Sequence, residues 1–201
     1  LAIVSYEIRI YLKSIIGFIN LSLDITANYK VNKYLNISLE NSKILLNLIN
    51  NILDVSKMKS GKFSIEKNNF NPRYSIKNLL NRFHNDARQK NIDIEYDIDE
   101  NLNKDFLGDW QRISQIISNL ISNAIKFTES GGYIKINSTF KNNSLVLSVK
   151  DNGIGLSKEA QERMFNPFEQ ADASTTREYG GTGLGLNISL ELAVMMNGNI
   201  I

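Results

Sequence analysis

Apolar residues in the first sixty positions recur at steps of three and four, the spacing that places side chains on one face of an α-helix. The first run of such positions consists of Ile8, Leu12, Ile15, Ile19 and Leu23. The second run, after a polar break at residues 26–30, consists of Ile37, Ile44, Leu48, Ile52 and Val55. Gly61 then suits the position just beyond a helix end. The pattern predicts a two-helix hairpin as a first domain, over residues 1–61.

The apolar stripes of this hairpin are narrow, and two long helices cannot bury them fully by packing only on each other. A four-helix bundle made from the hairpins of two chains would bury them. The alternative is a hairpin of a single chain that packs on the following domain. We favour the bundle, in part because the hairpin resembles that of a known family, and therefore expect a homodimer.

From residue 62 onward the pattern changes to shorter segments in which helical and strand periods alternate. Residues 63–70 are typical of a short strand or an extended connector. Helical periods begin near Asn71, Asp109, Ser157 and residue 185. Apolar and polar residues alternate, as in strands, at residues 92–98, 133–136 and 145–149. These elements predict an α+β chain whose second domain covers residues 62–201.

The composition excludes several classes of function. The 201 residues carry a net charge of +2 with mixed signs, which gives no electrostatic basis for binding nucleic acid. Because cysteine is absent, the chain has no disulfide, thiolate metal site or cysteine nucleophile. No apolar run approaches the ~20 residues of a membrane span. We therefore expect no direct membrane contact by this segment and a cytoplasmic location, either alone or as the cytosolic part of a membrane receptor.

An acidic residue followed by two glycines stands at the end of the strand predicted at 145–149. Asp151 can accept a hydrogen bond from an exocyclic amine such as the N6 group of adenine. Gly153 and Gly155 allow a tight turn and let a flat ligand approach the backbone. The same pattern occurs in ordinary loops, so its weight depends on its context.

Two asparagines and a lysine share one face of the helix that follows Asp109. Asn119 and Asn123 are four residues apart, and Lys126 is three residues further. Mg²⁺ takes few protein ligands beside phosphate oxygens and water, so the amide oxygen of Asn123 can be its one protein ligand. Asn119 can hold a ligating or attacking water, and Lys126 can offset phosphate charge. The alternative is a pair of solvated asparagines in an asparagine-rich chain.

A glycine-rich segment, GGTGLGL at residues 180–186, precedes the last predicted helix. Its glycines can expose backbone amides to phosphates, and the helix offers the positive end of its dipole. The segment contains neither a P-loop nor a dinucleotide-binding fingerprint. Residues 171–181 are polar and without period, which predicts a mobile lid over a nucleotide. A glycine-rich hinge without a ligand is the alternative.

In this order and spacing, the three elements resemble the N, G1 and G2 boxes of the ATP-binding domain of histidine kinases. The segment MFNPFEQ at residues 164–170 resembles the F box of that family, and the hairpin resembles its dimerisation and phosphoacceptor domain. The resemblance covers nearly the whole chain and implies an α/β sandwich of the histidine-kinase/gyrase ATPase type, with a mixed, mostly antiparallel sheet covered on one face by helices. It implies ATP and Mg²⁺ as cofactors, with Asn123 as the metal ligand and Lys126 at the phosphates. The implied binding set is Asn119, Asn123, Lys126, Asp151, Gly153, Gly155, Gly181, Thr182, Gly183, Leu184 and Gly185.

The phosphoacceptor motif of the family, Ser-His-Glu-x-Arg-Thr-Pro-Leu, matches residues 5–12, which are SYEIRIYL. Tyr6 stands in place of the histidine, and a phenol with a pKa of ~10 is a poor nucleophile without a strong base. Ile10 replaces the threonine that helps orient a water for phosphatase chemistry, and Tyr11 replaces a kink-forming proline. Glu7, which in the family would hold or deprotonate the imidazole, is retained. We therefore expect no histidine autophosphorylation in cis.

Three functions follow from these patterns. In the first, the chain is a degenerate kinase module that dimerises, binds ATP and works as a switch or scaffold in a larger receptor, with a receiver domain as a candidate partner. In the second, it is an active kinase that phosphorylates a histidine in trans for a phosphorelay. The third, a gyrase-type or chaperone-type ATPase, is disfavoured because those proteins use a glutamate base where this chain has Asn119. We favour the first, and whether the chain is an enzyme stays open.

Overall fold

The computed structural model describes residues 2–167, 169 and 183–201. The chain divides into two compact units, Leu1–Phe63 and Ser64–Ile201. Among the described residues, no helix combines the length and the apolar character that a membrane span requires.

The first unit is a hairpin of two long helices, as the sequence predicts. Helix α1 spans Ala2–Ile25 and α2 spans Tyr29–Lys59. The polar break is shorter than predicted, because the side chain of Asn28 accepts hydrogen bonds from the backbone amides of Lys30 and Val31 and starts α2 at Tyr29. Gly61 follows the second helix with a φ of 65°, as a residue beyond a helix end often does.

The face that the two helices bury against each other differs in part from the predicted stripes. Leu12 packs with Ile49 and Leu53, and Leu46 lies against this cluster. The predicted α2 positions Ile37 and Ile44 are instead 47% and 58% exposed. Because α2 carries apolar residues on more than one face between positions 44 and 53, periodicity alone could not tell which of them would meet α1.

The second unit holds five strands and four α-helices among the described residues. In chain order these are β1 (Asn68–Phe70), α3 (Pro72–Gln89), β2 (Asp93–Ile98), β3 (Phe106–Gly108), α4 (Trp110–Phe127), β4 (Tyr133–Lys141), β5 (Ser144–Asp151), α5 (Lys158–Arg163) and α6 (Gly185–Met195). The predicted caps are confirmed. Asn71, Asp109 and Ser157 each accept a hydrogen bond from a backbone amide in the first turn of the following helix. Strand β3 and a 3₁₀ turn at Glu100–Leu102 were not predicted.

Strands β2, β4 and β5 form a mixed sheet in that order. Strand β2 runs parallel to β4, and β4 runs antiparallel to β5 through a tight hairpin. Asn142 and Asn143 at the hairpin turn have φ values of 50° and 60°, the left-handed conformation that such turns favour and that asparagine tolerates. A separate antiparallel pair joins β1 to β3.

Helices α3 and α4 supply the helical side of the core that β4 completes. Their buried residues include Ile76, Leu80, Ile117 and Ile121, which cluster with Ile134 and Ile136 of β4. The alternate residues of β4 face away, and Lys135 there pairs with Glu95 of β2 at 3.0 Å. This is the predicted α/β sandwich with helices on one face, and it sets the ends of α4 and β5 beside each other.

Candidate nucleotide site

The loop after β5 is fastened to the C-terminal end of α4. The backbone amide of Ile154 donates to the carbonyl oxygen of Phe127 at 3.2 Å. A Cβ atom at Gly153 would fall within 3.0 Å of that carbonyl, so only glycine permits this approach. The two motifs predicted around Asn123 and Asp151 therefore meet at Phe127.

Asp151 is the exposed last residue of β5. Its Oδ1 atom accepts a hydrogen bond from the backbone amide of Gly153 at 2.9 Å, which fixes the carboxylate against its own turn. Gly155 follows with a φ of 69°. A carboxylate held in this way can present its second oxygen to an amine.

Asn152, which sequence reasoning missed, locks the same loop to the start of β4. Its Oδ1 accepts a hydrogen bond from the backbone amide of Tyr133 at 2.7 Å, and the backbone amide of Asn152 donates to the carbonyl oxygen of Tyr133. The signal available in the sequence was an asparagine directly before a glycine, a pair typical of turns. The partner, nineteen positions away, could not be predicted from that signal.

The three polar residues predicted on one face of α4 are all half-buried. Asn119 donates through Nδ2 to Oγ of Ser189 on α6 at 3.0 Å. Lys126 lies with its Nζ 4.6 Å from the centroid of the Phe127 ring. Burial lowers the pKa of Lys126 from its ordinary value of 10.5, because the ammonium loses hydration. An anionic ligand beside Lys126 would restore the favourable surroundings that burial removes.

Lys90, also missed by sequence reasoning, caps the C-terminal end of α4. Its Nζ donates to the carbonyl oxygens of Ile125 and Lys126 at 2.8 and 2.7 Å. A cation at this end of a helix satisfies carbonyls without helical partners and complements the helix dipole. No local pattern marks it, because its partners are 35 and 36 positions away.

The start of α6 faces Asn119. A Cβ atom at Gly185 would collide with the Asn119 carboxamide, so the glycine is needed for close packing of α6 on α4. Gly183 has a φ of 66°. Leu184 is 1% exposed, so its side chain belongs to the core and only its backbone could reach a ligand. Asn187 donates through Nδ2 to the carbonyl oxygen of Phe165 at 3.0 Å, which joins α6 to the segment after α5.

The remaining predicted site residues are Gly181, Thr182, Tyr6 and Glu7. Gly181 and Thr182, and residues 171–181 that were predicted as a lid, lie outside the described residues. Tyr6 and Glu7 belong to the first turns of α1, in the other unit. Their predicted roles as altered acceptor and catalytic residue stay predictions.

The donor chemistry fits a magnesium ion that is carried in by a phosphate ligand. No group of three or more His, Cys, Asp or Glu residues in the described part of the chain could hold a metal. Asn123 offers one amide oxygen, half-buried on α4. One such ligand suits Mg²⁺, which completes its octahedral shell with phosphate oxygens and water.

The chain is similar to known proteins in both sequence and structure. Residues 108–201 match the family of histidine kinase-, DNA gyrase B- and HSP90-like ATPases. The signal transduction histidine-protein kinase BarA of Escherichia coli (strain K12) is 36% identical over 204 residues, which include the whole of this chain and 22% of BarA. The chain thus spans about a fifth of the length of that curated relative.

Two solved structures are also similar. Full-length ShkA, crystallised in complex with AMPPNP, superposes with a TM-score of 0.77 at 26% identity, over 98% of this chain and 40% of ShkA. The catalytic domain of the histidine kinase ThkA superposes with a TM-score of 0.55 at 31% identity, over 64% of this chain and 80% of that domain. This chain is 31% identical to the catalytic domain of the histidine kinase ThkA and covers 80% of that domain, and its residues 108–201 match the ATPase family. The chain therefore belongs to the histidine kinase family.

Proposed function

We propose that the second unit binds Mg-ATP and that the chain works as a dimeric, ATP-dependent switch or scaffold in a larger signalling receptor. The observation that carries this proposal is the junction at Phe127, where the Asp151 loop is hydrogen-bonded to the end of the helix that bears Asn119, Asn123 and Lys126. Groups suited to adenine, metal and phosphate thereby share one end of the sandwich.

Asp151 is the proposed adenine ligand. One carboxylate oxygen is engaged by the amide of Gly153, and the other accepts a hydrogen from the adenine amine. Guanine presents a carbonyl oxygen where adenine has its amine, so the carboxylate would meet an acceptor rather than a donor. A preference for ATP over GTP follows.

The phosphates and the metal are proposed to lie along α4 and the start of α6. Asn123 supplies the oxygen ligand for Mg²⁺, Asn119 holds a water of the metal or of the reaction, and Lys126 offsets phosphate charge. The backbone around Gly181, Thr182, Gly183, Leu184 and Gly185, together with the positive end of α6, is the proposed phosphate cradle. Bound Mg²⁺ would neutralise charge between the phosphate groups.

Dimerisation through the hairpin is supported by the apolar side chains that one hairpin leaves uncovered. Large exposed residues on both helices include Ile15, Phe18, Leu21, Ile37 and Ile44. A second hairpin would cover such faces in a four-helix bundle. We propose a homodimer in the cytoplasm, with a receiver domain as a further partner.

The proposed switch role rests on Tyr6. A phenol at the acceptor position leaves Glu7 without an imidazole to hold or deprotonate, and Ile10 has no hydroxyl to orient water. Transfer in trans to a histidine of another chain is the second candidate, favoured by the retention of Asn119, Asn123 and Lys126 together on α4.

The test combines binding and labelling on the same preparation. Titration calorimetry with ATP and Mg²⁺ should give saturable heat, whereas GTP should bind weakly. With radiolabelled ATP, the chain alone should take up no acid-labile label. A hairpin that carries a histidine, or a receiver domain, should also stay unlabelled when it is added in trans. Label on the added hairpin would favour the trans kinase, and absence of ATP binding would overturn both candidates.

A further inference from the structure

Helix α6 presents two residues to Asn119, and both come from one helical face. Gly185 and Ser189 are four positions apart, so they lie one turn above each other. At Gly185 the carboxamide of Asn119 occupies the space that a Cβ would need. At Ser189 the hydroxyl oxygen accepts a hydrogen bond from Nδ2 of Asn119, and the two atoms are 3.0 Å apart. The carboxamide of Asn119 therefore packs against the backbone of α6 at Gly185 and is hydrogen-bonded to α6 at Ser189.

The hydroxyl of Ser189 is buried and has Asn119 as its hydrogen-bond partner. Ser189 is 2% exposed, and Asn119 is half-buried. A buried hydroxyl without a partner is unfavourable in free energy. The hydrogen bond therefore stabilises this orientation of both side chains. The terminal torsion of asparagine is otherwise broad and roughly two-fold. In the structure Nδ2 faces Ser189 and Oδ1 faces Gly185, and the hydrogen bond holds the carboxamide in that orientation.

We propose that Ser189 is a positioning residue of the nucleotide site, which acts through Asn119 without touching the nucleotide itself. This inference rests on the proposed function, since it assigns Ser189 the task of fixing an amide that binds water beside the phosphates. A freely turning amide at position 119 would offer a donor as often as an acceptor to that water. The loss of Ser189 should therefore weaken Mg-ATP binding only where Asn119 is present.

Ser138 provides a matched control. It is also buried in the second unit, at 1% exposure, but its hydroxyl has no hydrogen-bond partner among the residues that the structure describes. Ser138→Ala and Ser189→Ala remove the same atom from equally buried sites, and only the second removal breaks a contact with Asn119. A general effect of losing a core hydroxyl would appear in both variants.

The experiment is a double-mutant cycle on the full chain, with Mg-ATP affinity measured by calorimetry. Ser189→Ala should weaken binding roughly fivefold, the equivalent of one ordinary hydrogen bond. The same change in an Asn119→Ala background should have no further effect, because coupled residues are not additive. Ser189→Thr keeps the hydroxyl and should recover most of the affinity, and Ser138→Ala should match the unaltered chain.

A spectroscopic readout separates this inference from the proposed function. The side-chain amide signals of Asn119, identified by their loss in Asn119→Ala, should shift in Ser189→Ala and not in Ser138→Ala, without any nucleotide. Unmoved signals, or equal losses of affinity with and without Asn119, would overturn the role of Ser189 while ATP binding stands. Failure of the unaltered chain to bind Mg-ATP would overturn the proposed function and this inference together.

Discussion

At the scale of single residues, the structure gives hydrogen-bond partners to two side chains of the candidate site. Asp151 is held by the amide of its own turn, and Asn119 is held by Ser189. Asn123 and Lys126 are half-buried on the same helix. Because their surroundings and proposed roles differ, replacement of each side chain should change ATP binding in a different way.

Replacement of Asp151 by asparagine tests the adenine contact. The change preserves size but removes the charge from a charge-assisted hydrogen bond, so ATP affinity should fall by more than about tenfold. Calorimetry on Asp151→Asn and on Asp97→Asn, an exposed aspartate of β2, gives the comparison. Equal ATP affinity in the unaltered chain and in Asp151→Asn would remove Asp151 from the site.

Replacement of Asn123 by alanine tests the metal ligand. Only metal-dependent binding uses the amide oxygen, so ATP affinity should fall more with Mg²⁺ present than with a chelator present. Asn137→Ala, which alters an exposed asparagine of β4, should change neither value. If both affinities of Asn123→Ala fall by the same factor, Asn123 has a structural role only.

At the scale of secondary structure, the site depends on how α4 begins and ends. Asp109 is 6% exposed and accepts hydrogen bonds from the amides of Arg112 and Glu66, so one carboxylate starts the helix and ties the segment before β1 to it. Lys90 closes the other end. The helix that bears Asn119, Asn123 and Lys126, the three proposed site residues, is therefore fixed at both termini by side chains from its own unit.

Removal of the Lys90 charge should loosen the end of α4. Lys90→Met leaves the carbonyls of Ile125 and Lys126 without their cation, and the free energy of unfolding should fall by about 1–2 kcal/mol. Urea unfolding of Lys90→Met and of Lys77→Met, which alters an exposed lysine of α3, measures the difference. Identical midpoints and slopes for these two variants would contradict the capping role.

At the scale of the whole molecule, the kinase candidate would need the nucleotide unit to reach an acceptor on a hairpin, and Tyr6 stands at the position of this hairpin that resembles the acceptor site. Tyr6 and Glu7 lie in α1, whereas the residues proposed to bind the nucleotide belong to the second unit. A productive encounter needs both an acceptor and a docked ATP. The substitution Tyr6→His supplies the acceptor alone, so it separates the two requirements.

Tyr6→His should restore slow phosphorylation that is acid-labile, because Glu7 remains to hold the imidazole. The phosphohistidine should persist, since Ile10 cannot position a hydrolytic water. Labelling with radioactive ATP and acid treatment, after ATP binding is verified, measures both effects. Tyr6→Phe serves as the control without an acceptor. A Tyr6→His chain that binds ATP yet takes up no acid-labile label would mean that the second unit does not dock productively, which would favour the pure switch.

The sequence by itself determined the local elements and the identity of the motif residues. Asn71, Asp109 and Ser157 cap helices because their short polar side chains reach amides only three positions away, within the range of a local pattern. The alternation along β4 and β5 and the asparagine turn between them likewise depend on neighbours along the chain. These interactions are short-range, so residue order is enough to predict them.

The tertiary structure decided which faces meet and which distant groups become partners. Only packing selected Ile49 and Leu53 over Ile44 as the buried side of α2, because the sequence offered apolar residues on several faces. Only packing brought Ser189 to Asn119, 70 positions away, and Lys90 to the end of α4. A hydrogen bond depends on separation in space, and chain folding sets that separation through the sum of many buried contacts rather than through any one motif.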